Sequence, residues 1–284
     1  MSICSSCCQV GPEQMEHQGA SMPLQKANVL HGITRCAMNA GTAQQYARWI
    51  GALYLITIVA GGWGESHVPN QLLIVNDLAG TAHQVASSVG LFRASFAAYL
   101  IEAACDITLN VLLYALLRPI SRNLALLATC FGLMATAVYA AGELFYFAAA
   151  LPAVDADVAR VIAPEAKATL TYLCLTIYGY VNGIFAVFYG TATVVRGYLI
   201  LRSGYLPRAL GAIFVFGGAS FIVKNFLVVV LPQYDLPYVI APLPLALVSM
   251  ALWLLIKGID RPQWDQSRRR RHLLEDGRPC GPNL

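Results

Sequence analysis

Six stretches of roughly 20 mostly apolar residues constrain this chain more than anything else in it. They run over about residues 48–64, 91–117, 124–151, 169–201, 209–231 and 238–256. About 20 apolar residues in a helix cross the ~30 Å hydrocarbon layer of a bilayer. A lone strand in lipid leaves its backbone groups unsatisfied, so the stretches read as helices. The short alternating segments of a membrane β-barrel are absent. Composition agrees, with 57% hydrophobic and 12% charged residues. An average soluble domain carries about 25% charged residues, so this chain cannot cover a globule of its size with polar groups. A soluble enzyme, a disordered chain and a nucleic-acid binder are poor fits. The expected fold class is all-α, an integral membrane bundle of six transmembrane helices.

The net charge of +4 is distributed as membrane topology requires. Fifteen of the 19 Lys and Arg fall on one side: Lys26, Arg35 and Arg48 before the first span, Arg118 and Arg122 between the second and third, Arg196, Arg202 and Arg208 near the four–five turn, and seven after the sixth. Arg93, Arg160 and Lys167 lie opposite, and Lys224 lies within the fifth span. The excess of positive charge marks the cytoplasmic side. Both termini are therefore expected there, as an even number of spans also requires.

Residues 1–45 read as a disordered leader with no apolar core of a secretory signal. Cys4, Cys7 and Cys8 resemble half of a zinc site, but only His31 and Cys36 follow, so no metal site is assigned. Met38 is a natural start for the folded part, and removal of residues 1–37 is expected to leave insertion intact. The transmembrane domain is expected over 46–258, followed by a basic, disordered cytoplasmic tail over 259–284. In that tail Arg268 to Arg271 beside Trp264 suit an anionic lipid surface, at about 1 kcal/mol per basic residue. Membrane lipids are the expected partners, with no nucleic acid and no cofactor; the sequence leaves the oligomeric state open. Asn76-Asp77 can cap a short helix over 78–88 in the longest outer loop. His67, His83, Glu65 and Asp77 in that region are too sparse to define a metal centre.

Polar residues inside spans are costly in lipid and are functional candidates for that reason. The second span carries Glu102, Asp106 and Asn110 at intervals of four, which places them on one helix face. The third carries Tyr139 and Glu143, the fourth Asn182, and the fifth Lys224 and Asn225. Counting along the spans puts Glu102, Glu143 and Lys224 in the outer half, which suggests an outward-facing polar cavity for a small solute or a proton. Two alternatives stand beside that reading. The same residues can form closed salt bridges in a non-catalytic membrane scaffold. They can also serve a membrane enzyme acting on a lipid-like substrate. No His lies deep in a span, and neither His-Glu-x-x-His nor Gly-x-Ser-x-Gly occurs, so no catalytic residue is assigned.

The segment Gly197-Tyr198-Leu199-Ile200-Leu201-Arg202-Ser203-Gly204-Tyr205-Leu206-Pro207-Arg208-Ala209-Leu210-Gly211 resembles the signature of a bacterial multi-pass family, domain of unknown function 4386. Ala47 to Ile56, Gly90-Leu91-Phe92-Arg93, Asp106, Leu117-Arg118-Pro119 and Trp253 to Gly258 are similar to other parts of that pattern. The resemblance covers about residues 48–258. It implies a six-helix protein of the bacterial cytoplasmic membrane and no assigned reaction. The chain departs from the pattern at Lys224 and near Leu247, where the family tends to be acidic. Within the signature, Gly204 suits a helix C-cap and Pro207 the opening of the next helix.

Overall fold

The computed structural model describes residues 40–68, 71, 77–230 and 237–275. The described residues are helical, joined by short turns. In chain order the helices are α1 (Ala40–Gly61), α2 (Leu78–Ser87), α3 (Val89–Leu117), α4 (Arg122–Val154), α5 (Ala156–Val161), α6 (Pro164–Ser203), α7 (Arg208–Val230), α8 (Pro242–Ile256) and α9 (Arg261–Glu275). A π-helical turn, Gly62–His67, continues α1, and a 3-10 turn, Pro237–Ile240, leads into α8. Residues 1–39, and with them the leader cysteines, lie outside the described residues.

Local chemistry accounts for several boundaries. Asp77 caps α2 by accepting from Gly80 N at 2.8 Å, so the short helix forms where its cap predicts. Ser121 caps α4 through Leu124 N. Gly204 ends α6 with φ +72°, a left-handed conformation that costs glycine nothing.

The six long helices close a ring in which each packs on its neighbours: α1 on α3, α3 on α4, α4 on α6, α6 on α7, α7 on α8, and α8 back on α1. Small residues allow this closeness. Gly190 meets Gly218, and Gly197 meets Gly211, so one heptad on α6 is matched by one on α7. A Cβ on Gly197 would lie 2.8 Å from Gly211 O, and one on Gly218 2.7 Å from Gly190 O. Lipid offers no hydrophobic drive between apolar helices, so such backbone contact supplies much of the association. Large apolar side chains remain on the surface, among them Trp49, Leu144, Phe216 and Ile256, as a lipid-facing bundle requires.

Among the described residues, four helices are long and apolar enough to cross a membrane, within α3, α4, α6 and α7; α8 with α9, bent by 102°, makes up to five. The helix α1 has the length, but Gln44, Gln45 and Arg48 make its first half polar. The helix α8 is 15 residues long, about 22 Å at 1.5 Å per residue.

Two boundaries differ from the sequence expectation. The first helix starts at Ala40, with Ala43, Gln44 and Ala47 already buried, so the leader boundary at residue 45 moves back. After the sixth apolar stretch, α9 replaces the expected disordered tail up to Glu275. Its cause is tertiary: Trp264 is buried, Asp260 N donates to Tyr205 O at 3.1 Å, and Asp260 caps the helix through Gln263 N. Tyr205 in turn donates its hydroxyl to Leu116 O at 2.7 Å. Burial pushes the Tyr205 phenol well up, which keeps it a neutral donor.

Candidate functional site

The i, i+4 ladder on α3 does form one polar face, and its three groups span about 12 Å along the helix axis. At its lower end, Asn110 donates through Nδ2 to Asp106 O of its own helix at 2.8 Å. Its Oδ1 accepts a short hydrogen bond from the Arg196 guanidinium on α6. Both residues are 3% exposed, so this contact has left solvent entirely. One step up, Asp106 Oδ2 accepts from Thr136 of α4 at 3.4 Å. The buried Tyr54 phenol of α1 and the half-buried Tyr189 of α6 lie within the electrostatic reach of both Asp106 and Arg196, and Tyr189 also within that of Glu102. Another step up, the Glu102 carboxylate lies against α1: a Cβ on Gly61 would be 2.8 Å from one oxygen and 2.9 Å from the other.

Two carboxylates, one guanidinium, an amide and two phenols thus meet where α1, α3, α4 and α6 converge. Glycines make the space. On α4, a Cβ at Gly132 would collide with Asn110 Oδ1 and lie 2.5 Å from Arg196 Nη2. An ordinary side chain there would displace the polar contact.

Tyr139 and Glu143 lie further along the bundle. Tyr139 shares a 2.8 Å hydroxyl–hydroxyl hydrogen bond with Tyr178 of α6 and packs in an aromatic cluster with Tyr99 and Phe185. Glu143, also 3% exposed, lies 11 residues beyond Gly132 on α4, about 16 Å further along the axis. There it sits one turn from Tyr146, whose ring stacks on Phe92 at 4.4 Å. Lys224 lies on α7, whose ring neighbours are α6 and α8. Asn225 turns back to Phe221 O of its own helix at 2.9 Å. Asn182 is partly exposed and has no hydrogen bond among the described residues.

Arg196 is the residue that sequence reasoning misplaced. It was counted with the charges flanking the four–five turn, yet it is buried in the bundle seven residues before the end of α6, about 10 Å inside. Counting back from the Gly204 cap through Thr193-Val194-Val195 contains that signal. Tyr54, Gly61, Gly132, Thr136 and Tyr189 give no comparable sign, since their roles depend on which helices meet.

Among the described residues, no three or more His, Cys, Asp or Glu side chains come together as a metal site would require. His67 is exposed, with Nε2 3.1 Å from Gln71 Nε2.

Comparison with known proteins follows the same bundle. A protein of Archaeoglobus fulgidus, described as uncharacterized, is 30% identical over 158 residues, covering 54% of this chain and 76% of the relative. No solved structure matches the chain. The pattern of domain of unknown function 4386 matches residues 49–258, from α1 through the turn after α8, and thus spans every residue of the polar junction. With apolar helices long enough to cross a bilayer and this match over most of its length, the chain is a multi-pass membrane protein and belongs to the family of domain of unknown function 4386.

Proposed function

We propose that this protein is a six-span carrier of the bacterial cytoplasmic membrane, both termini inside, that binds a proton or a small polar solute at the Glu102–Asp106–Arg196 junction. The closed ring of six helices supports the span count. Once Arg196 is assigned to the bundle interior, 14 basic residues still flank the proposed inner side, and this supports the orientation.

One observation carries the functional reading: the Arg196 guanidinium, 3% exposed, hydrogen-bonds Asn110 on the same α3 face that carries the half-buried carboxylates of Asp106 and Glu102. Each ion withdrawn from water costs several kcal/mol even after relaxation. A carboxylate placed among apolar helices can exchange its charge with a proton or a bound cation. Toward the proposed outer face, Tyr139, Tyr178 and Glu143 continue the polar groups along α4 and α6. In this reading Asp106 and Glu102 exchange the proton or contact the solute, and Arg196 holds the charge balance.

A scaffold is the second reading, and the contact at Gly132 favours it. There Asn110 and Arg196 are packed against α4 backbone with no room for a methyl group, as a permanent interhelical lock would be.

Reconstituted vesicles separate the two. Under an imposed pH gradient, a carrier dissipates the gradient faster than protein-free vesicles, with or without added solutes. Asp106→Asn and Glu102→Gln should abolish that flux while the protein stays folded. Lys224→Met should change the rate without unfolding the protein. A wild type that passes no proton and no solute from a broad panel, combined with unfolding of the Asp106→Asn protein, would leave only the scaffold.

A further inference from the structure

A second polar site lies away from the junction, where α1 begins and α9 departs from α8. Its frame is built by Gln44, whose side-chain amide is held at both its nitrogen and its oxygen. Nε2 donates to Lys257 O at 3.1 Å, and Oε1 accepts from Ile259 N at 3.0 Å. Gly258, with φ +72°, lets the chain turn there, and a Cβ would strike the Gln44 amide. Beside this clamp is a cavity of about 450 Å³, open at the surface and lined by Gly41, Thr42, Gln44, Gln45 and the exposed Arg48 and Arg261.

Two guanidiniums therefore border one cavity, and neither Arg48 nor Arg261 has a hydrogen bond or ion pair to a described residue. The nearest carboxylate in sequence, Asp260, is already occupied. Its two oxygens accept from Gln263 N at 3.2 Å and Gln263 Nε2 at 2.9 Å. Like charges facing one space repel unless an anion joins them. Arginine's planar fork matches the paired oxygens of a phosphate group.

Residues typical of a membrane–water boundary lie next to the site. Lys257 Nζ lies 4.6 Å from the centre of the Trp253 ring, an aromatic–basic pair of the kind found at membrane–water boundaries. The helix α9 leaves α8 at 102°, turning from the bundle axis toward the bilayer plane. It carries Arg268 to Arg271 away from the cavity, along its own length.

We propose that this cavity binds a phosphate group, with Arg48 and Arg261 as its two anchors and an anionic membrane lipid as its source. The site does not require the Glu102–Asp106–Arg196 junction to transport anything.

The test uses the full chain in neutral detergent micelles, titrated with phosphatidylglycerol, phosphatidylcholine or inorganic phosphate. Bound molecules are counted by native mass spectrometry and binding is followed by thermal unfolding. Phosphatidylglycerol should bind saturably at one site and raise the unfolding temperature. Arg48→Gln or Arg261→Gln should each weaken that binding about tenfold or more, from the loss of a bidentate charge-assisted contact. Arg48→Lys should weaken it less, and in anion-free buffer each variant should unfold no earlier than wild type. The control Arg269→Gln/Arg270→Gln should change binding less than twofold. Equal protection by inorganic phosphate, lost in Arg48→Gln, would support the same anchors with a soluble source. Unchanged phosphatidylglycerol binding by the Arg48→Gln/Arg261→Gln protein would overturn the proposal. So would an equal loss in the Arg269→Gln/Arg270→Gln control, which would reduce the effect to diffuse surface attraction.

Discussion

Replacing Arg196 by Met tests how the junction is held together, and the structure bounds the cost from both sides. Arg196 donates to Asn110 Oδ1. If that were its whole contribution, the loss would match an interhelical hydrogen bond in a membrane protein, about 0.6 kcal/mol on average and at most ~1.7. The guanidinium also shares the junction with Asp106, since both act on Tyr54 and Tyr189. Stranding a fully buried carboxylate by removing its partner typically costs about 3–5 kcal/mol, an upper bound for Asp106, which is half-buried. A carboxylate can escape that penalty by taking up a proton. For a reference aspartate this costs about 4 kcal/mol at pH 7 and about 1.5 kcal/mol at pH 5, which caps the loss. The expected destabilisation of Arg196→Met is therefore at most about 3–4 kcal/mol at pH 7, shrinking to at most about 1–2 kcal/mol at pH 5. Unfolding by SDS in mixed micelles, monitored at both pH values, measures it. A partner change gives the control: adding Asp106→Asn to Arg196→Met should recover about 2 kcal/mol at pH 7. The charge-balance argument fails if Arg196→Met costs the same at both pH values and the same whether residue 106 is Asp or Asn. The guanidinium would then be a hydrogen-bond donor to Asn110 and nothing more.

Gly132→Ala should cost about 1–3 kcal/mol by forcing Asn110 and Arg196 apart. In the same SDS titration its effect should be less than additive with Arg196→Met, because both changes break one contact. Gly197→Ala and Gly218→Ala, each bringing a methyl within 2.8 Å of a carbonyl on the facing helix, should each lose about 1–3 kcal/mol of unfolding free energy. Ala at an exposed α7 position such as Phe216 should lose less than either. Gly258→Ala combines a strained left-handed residue, at about 1–2 kcal/mol, with a clash on Gln44. It should loosen α9, so trypsin should cut at Arg268 to Arg271 faster than in wild type; an unchanged cleavage rate would mean the clamp does not hold the helix.

Much of this protein is legible in its sequence because lipid leaves the backbone few choices. A long apolar run must satisfy its peptide groups internally, so α3, α4, α6 and α7 follow from composition and length. The 3.6-residue period then puts Glu102, Asp106 and Asn110 on one face of α3 before any neighbour is known. Local caps are equally readable, as Asp77 and Gly204 demonstrate, since their partners lie within a few residues. Only the tertiary structure decided what that α3 face meets. Sequence spacing fixes angles around one helix, but the order of helices in a ring depends on which surfaces fit. Here the glycines of α6 and α7 let those helices touch, and Gly61 and Gly132 make room for the acidic face. Arg196 of α6, which the sequence places among the turn charges, is consequently the cation that meets this face at Asn110. The helix α9 arose the same way. Its arginine-rich composition carries no sign of helix until Trp264 finds a buried place and Asp260 a hydrogen bond on Tyr205, contacts some 55 residues away along the chain.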